Sequence, residues 1–186
     1  MKSHLSKAIY FSMLIAMGSA SAQTTNTGNI YMTGRIFSST CQVEINGSSS
    51  PNATIEMGTY PTSAFPSSGT IVGGGGKDGK IMFDLSRCPM DKDWVHLKLD
   101  AAMKSGSTDI VRLDNDTSSS TAKNIGIYIY DSNDMSQPLN LIVTHKYPID
   151  ASNRVDIDLV AKYVSTDDAV EPGEANSTVN YIISYD

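Results

Sequence analysis

Apolar and polar residues alternate along most of the chain beyond residue 30, and the three-to-four-residue spacing of an amphipathic helix is nearly absent. That pattern predicts a β protein. Ile30-Tyr31-Met32-Thr33-Gly34-Arg35-Ile36-Phe37 opens it, and Cys41-Gln42-Val43-Glu44-Ile45 continues it beyond a bend at Ser38-Ser39-Thr40. A short strand is predicted at Thr54-Ile55-Glu56-Met57-Gly58, and another at Lys80-Ile81-Met82-Phe83-Asp84-Leu85 with Ile81, Phe83 and Leu85 on one face. Over 94–101, Val95, Leu97, Leu99 and Ala101 share a face opposite His96, Lys98 and Asp100. Here a helix competes with the strand, because Asp91 suits a cap and Gly106 a stop. Strands are also predicted over 125–130, 139–143 and 154–163, and over 177–185 with Val179, Tyr181, Ile183 and Tyr185 in phase. The intervening segments 48–51, 66–79, 115–121, 131–138 and 166–176 are rich in turn formers. Many short strands separated by turns imply a sandwich of one domain, with no internal repeat.

The first 22 residues break the pattern. Lys2 and Lys7 precede the apolar run Ala8-Ile9-Tyr10-Phe11-Ser12-Met13-Leu14-Ile15-Ala16-Met17, and Ala20-Ser21-Ala22 follows. This is the layout of a secretory signal cleaved after Ala22; the run is shorter than the ~20 residues of a spanning helix. Removing residues 1–22 from 186 leaves 164, with 12 basic against 20 acidic side chains and a net charge of −8. The exported domain is then soluble, not inserted in a membrane, and has no charge basis for binding nucleic acid. Cys41 and Cys88 are the only cysteines. An even pair in an oxidising compartment predicts one structural disulfide.

Candidate chemistry is sparse. The exported part holds only His96 and His145, and strand phase predicts both to face solvent. Gly74-Gly75-Gly76-Lys77-Asp78-Gly79 satisfies G-x-G-x-x-G, yet the segment that follows reads as a strand and not as the helix a phosphate site needs. Asp114-Asn115-Asp116-Thr117-Ser118 begins like a calcium loop but lacks the central Gly and closing Glu, which predicts a solvated turn. No constellation for an enzyme, a metal or a cofactor emerges.

The ends of the domain carry more. It starts with a strand preceded by a polar arm, and its last alternating strand runs to the final residues, which predicts an open sheet edge. Trp94 follows Cys88 instead of lying between the cysteines, unlike an ordinary immunoglobulin domain. Gly28-Asn29-Ile30-Tyr31-Met32-Thr33-Gly34-Arg35-Ile36 with Cys41-Gln42-Val43, then Ile55-Glu56-Met57-Gly58 with Thr62-Ser63-Ala64-Phe65, resemble the opening signatures of the type 1 fimbrial subunit family, the pilins of the chaperone–usher route. Ile81-Met82-Phe83-Asp84-Leu85 leading into Cys88, Ala122-Lys123-Asn124-Ile125-Gly126-Ile127, and Leu159-Val160-Ala161-Lys162-Tyr163 extend the resemblance. Pro172-Gly173-Glu174-Ala175-Asn176-Ser177-Thr178-Val179-Asn180-Tyr181-Ile182-Ile183-Ser184-Tyr185 resembles the closing signature, with its penultimate tyrosine.

The resemblance implies an all-β, incomplete immunoglobulin-like sandwich that lacks its last strand and is completed by a strand from a partner. It divides the chain into a signal (1–22), a donor-strand arm (23–33) and a pilin domain (34–186). The implied function is that of a structural subunit of an adhesive fimbria, exported through the periplasm to the cell surface. Its implied partners are a periplasmic chaperone, an outer-membrane usher and neighbouring subunits. Thr24, Asn26, Gly28, Ile30 and Met32 would enter a neighbour's groove. Val179, Tyr181, Ile183 and Tyr185 would form the strand the chaperone pairs with, and Gly173 its turn. Residues 23–27 are more polar than the family pattern, which leaves the donor register open. The alternative is a minor or adhesive subunit that binds a host glycan or receptor through surface loops such as 114–120 or 73–79.

Overall fold

The computed structural model describes residues 40–186 together with Thr33. The signal, the arm residues Thr24, Asn26, Gly28, Ile30 and Met32, and the strand predicted over 30–37 lie outside the described residues.

Nine strands and one 3-10 turn (Thr62–Ala64) follow in order: β1 (Gln42–Ile45), β2 (Ile71–Val72), β3 (Lys80–Ser86), β4 (Trp94–Ala101), β5 (Ile110–Arg112), β6 (Ile125–Asp131), β7 (His145–Pro148), β8 (Val155–Ser165) and β9 (Val179–Tyr185). All pairings are antiparallel. One sheet runs β1-β3-β8-β6-β5, with β2 also on β8, and the other runs β7-β4-β9. The chain is thus a two-sheet, all-β sandwich, and its core is the set of positions that alternation put on one face. Phe83 and Leu85 from β3, Ile127 and Ile129 from β6, and Ile157, Leu159 and Ala161 from β8 meet Val95, Leu97 and Leu99 from β4. Each Val, Leu, Ile or Phe among them contributes roughly 1.5–3 kcal/mol when fully buried.

The segment over 94–101 is a strand and not a helix. Its odd residues fill the core while its backbone forms ladders with β7 on one side and β9 on the other. The disulfide joins Cys41, just before β1, to Cys88, just after β3, at the end of a ladder that pairs Gln42 with Ser86.

Three departures from the pattern have local causes. Residues 139–143 turn instead of extending: the Asn140 side chain accepts the Ile142 N–H at 3.0 Å, an Asx turn that competes with strand pairing. The strand forms later, as β7, and the shift brings His145 opposite the inward-facing Leu97. Residues 54–58 keep their alternation, with Ile55 and Met57 half-buried, yet among the described residues they have no ladder partner beyond Gly79 N–H donating to Glu56 O at 2.7 Å. Strands β2 and β5 are too short, at 2 and 3 residues, to announce themselves by period.

Gly79 closes the glycine-rich loop at φ +71°, and a Cβ there would run into the Ala161 carbonyl, whose residue donates its N–H to Gly79 O at 2.8 Å. The loop therefore enters β3 through a tight approach to β8, as a connection between strands.

Candidate functional site

Strand β9 pairs with β4 from Val95↔Tyr185 to Ala101↔Val179, and no strand among the described residues pairs with its other edge. An edge with unpaired backbone groups is a template for another strand. The inward residues agree with an edge left without a partner among the described residues. Val179, Tyr181, Ile183 and Tyr185 are only half-buried, although Leu99, Leu97 and Val95 beside them on β4 are buried.

Beside this edge lies a groove of about 830 Å³. One wall is the chain from Ala175 to Tyr181, and the other is Ile45 with residues 51–57. Its floor is made of Ile81, Phe83, Leu99, Ile127, Ile129 and Leu159, residues from both sheets. The slot opens onto the core between the two sheets.

Tyrosines cross the slot. Tyr181 sets its ring edge-on to Phe83, with centroids 5.2 Å apart, and its hydroxyl donates to Pro51 O on the far wall at 3.0 Å. Burial pushes the Tyr185 phenol above its ordinary pKa, while the Cys41 N–H, donating to its oxygen, pulls the other way. At the start of the strand, Thr178 donates to Asp114 Oδ2 and Ser177 to Arg112 O, both at 2.8 Å, and the Tyr163 hydroxyl donates to Ala175 O at 3.0 Å.

Gly173 lies outside β9, in the segment that runs alongside Ser120, Thr121 and Ala122 before feeding the strand. Glu174 N–H donates to Ser120 O at 2.8 Å and Ala122 N–H to Glu174 O at 3.0 Å. A side chain on Gly173 would collide with that backbone. At the other end, His96 Nε2 lies 2.8 Å from Asp186 Oδ1, and Lys146 Nζ lies 3.8 Å from Oδ2. The His96 hydrogen bond first, and then the charges of His96, Lys146 and Lys92, hold the Asp186 carboxyl below its ordinary value. Sequence phase alone missed this cluster: the His96 side chain is 16% exposed, and His145 Nε2 lies 2.9 Å from Asn140 O, so neither histidine simply faces solvent.

The other candidate loops are held from within. Lys123 Nζ donates to the carbonyls of Asp116 and Ser118, so an ammonium already engages two backbone oxygens of this loop. No group of three or more metal-binding side chains occurs among the described residues. In the glycine-rich loop, the Tyr60 hydroxyl donates to Asp78 Oδ2 at 3.0 Å, and β3 follows in place of a helix.

A sequence profile of the family described as "Fimbrial protein" matches residues 30–186. A type-1 fimbrial protein subunit of Serratia marcescens is 31% identical over 179 residues, covering 92% of this chain and 94% of that protein. Among solved structures, the P pilus rod subunit PapA superposes with a TM-score of 0.59 at 13% identity, over 78% of this chain and 99% of its own. An antigen and type I fimbria protein of Burkholderia pseudomallei gives 0.51 at 14% identity, over 80% of this chain and 91% of its own. These two likenesses are of fold, and they agree with an immunoglobulin-like sandwich. The family comprises fimbrial structural subunits and not enzymes. With its profile matched across the whole described domain, the chain belongs to the fimbrial protein family and is a subunit of a surface fimbrium.

Proposed function

We propose that this chain polymerises by donor-strand complementation: the arm of one copy, residues 23–33, adds to the open edge of β9 in the next and closes the sandwich. What supports this is the coincidence of an unpaired edge with a groove whose floor is the core itself. Backbone bonds to β9 supply affinity, and alternate side chains entering the groove supply specificity. On the donor these are Thr24, Asn26, Gly28, Ile30 and Met32; on the acceptor they meet Val179, Tyr181, Ile183 and Tyr185, while Gly173 fixes the chain that leads into the strand. Before assembly the same edge pairs with a strand lent by a periplasmic chaperone, which delivers the subunit to an outer-membrane usher. The leader 1–22 directs the chain into that route.

The test compares residues 23–186 with a version in which 23–33 are moved behind Asp186 through a short flexible linker. Burial of Ile30 and Met32 alone is worth about 3–6 kcal/mol. In a domain of this size that raises the melting temperature by roughly 10–20 °C. The rearranged protein is expected to be a monomer with that gain. An unaltered domain that is already a stable monomer and gains nothing would sink the proposal.

A further inference from the structure

The chain that walls the groove over 175–178 lies between β8 and β9 and belongs to no strand. It takes its position from the segment 114–124. Asp114 N–H donates to Asn176 O at 2.8 Å, and the Thr178 hydroxyl returns a bond to Asp114 Oδ2, beside the groove that Asp114 also lines. Three consecutive residues of the mid-chain signature reach the same wall or its approach. Ala122 N–H donates to Glu174 O at 3.0 Å, Lys123 and Glu171 exchange both backbone bonds at 3.2 Å, and Asn124 Nδ2 donates to Ala169 O at 2.6 Å.

The loop 114–120 is itself a run of turns, with Asn115 at φ +52°. Its surface ties are slight. Arg112 and Asp116 form an exposed ion pair at 3.5 Å, which contributes little, and Ser118 and Ser120 share a hydroxyl bond at 2.9 Å. The Lys123 ammonium is of another kind. It is half-buried, has no carboxylate within ion-pair distance among the described residues, and points its donors at Asp116 O and at Ser118 O, 2.6 Å away. Hydrogen bonds from a charged donor are roughly twice as strong as neutral ones. The side chain of Lys123 therefore holds the loop from within, while its backbone holds the chain that approaches the wall.

We infer that Lys123 is a positioning residue for strand acceptance: its ammonium sets the loop 114–120, and through Asp114 and Ser120 that loop sets the wall against which an incoming strand seats. The inference rests on the strand exchange proposed above. An edge strand that awaits a partner has no support on its open side, so the chain leading into β9 must be ordered from behind. A wall ordered in advance spares the incoming strand the cost of ordering it, and the difference shows as affinity. Without the ammonium the wall loosens, while the ladder of β3 with β8, built from separate hydrogen bonds, stays closed.

The test uses the exported chain, residues 23–186, and a fluorescent peptide of residues 23–33 in excess over it. Four forms are compared: wild type, Lys123→Met, Thr178→Val and the double variant. Lys123→Met keeps an unbranched stem without the charge, and it should weaken peptide binding by about tenfold, the loss expected of one hydrogen bond to a charged group. Amide hydrogen exchange in the same variant should quicken at Asp114, Ala122 and Glu174 and stay unchanged in β3 and β8. Thr178→Val, which removes only the tie to Asp114, should weaken binding less. Because Lys123 acts through that tie, the double variant should bind no more weakly than Lys123→Met alone. Wild-type affinity in Lys123→Met, exchange that quickens throughout β3 and β8, or losses that simply add in the double variant would each overturn the inference and leave the strand exchange standing. A wild type that takes up no peptide would overturn both.

Discussion

The hydroxyl of Tyr181 spans the groove to the carbonyl of Pro51, 3.0 Å away, so the strand with the open edge is tied to the wall across from it by one side chain. The tyrosine has two roles, because its ring also packs against Phe83 on the groove floor. Tyr181→Phe removes only the tie and is expected to cost about 0.5–1.5 kcal/mol. Tyr181→Ala also removes the ring and should cost about 3–5 kcal/mol. Urea midpoints of the two variants measure the difference. On the proposed strand exchange, a strand entering the groove displaces this tie, and Tyr181→Phe should then bind a peptide of residues 23–33 faster than wild type. Equal association rates would mean that the tie lies off the entry path.

Cys41 and Cys88 lie 47 residues apart in sequence, and the ladder between β1 and β3 brings them together. On the chain-entropy model, closing a loop of that length stabilises the fold by about 4 kcal/mol. Replacing both cysteines with alanine should lower stability by about that amount, read from denaturant midpoints under non-reducing conditions. Adding a reductant should do the same to the wild type and nothing further to the variant.

Much of this was legible in the residues. Alternation placed Val95, Leu97 and Leu99 in the core, and likewise Phe83 and Leu85, because burying a sheet on one face forces a period of two. It also put Val179, Tyr181, Ile183 and Tyr185 on one face, although only the folded chain shows that face to be half-covered. The far wall of the groove was harder to foresee. Residues 54–58 alternate like a strand, but whether a strand has a partner is a fact about the rest of the sheet and leaves no mark in its own sequence. The turn at Asn140 and the phase of His145 were lost for a local reason: one side-chain amide outcompetes a ladder that apolar Leu139, Leu141 and Val143 would otherwise suggest.

Asp186 gives the end of β9 a pH dependence. Its carboxyl is held below the ordinary value of 3.8, first by the His96 hydrogen bond and then by surrounding positive charge. A depressed acid contributes stability that is fully present above its unfolded value and is lost as pH falls through the lower, folded one. The wild type should therefore lose part of its stability as pH drops below about 4, and Asp186→Asn should lose less over the same interval. Parallel acid limbs in urea titrations of the two proteins would show that the cluster does not couple to folding.

Tyr147 supplies the opposite limb. Its phenol, half-buried against the core and donating to Asp131 Oδ2 at 3.2 Å, is pushed far above the ordinary value of 10.0, first by burial and then by the Asp131 charge and hydrogen bond. A raised tyrosine keeps its proton in the folded state while the unfolded chain ionises. Its contribution is thus complete below pH 10 and is lost as pH climbs toward the folded value. Stability should fall above about pH 10, and Tyr147→Phe should flatten that fall at the expense of about 1 kcal/mol at neutral pH from the lost hydrogen bond. Ultraviolet titration of the tyrosinates provides a second check. The last phenol of the wild type to ionise should do so only as the protein unfolds, and that last step should vanish in Tyr147→Phe; if it persists, the most protected phenol belongs to another tyrosine.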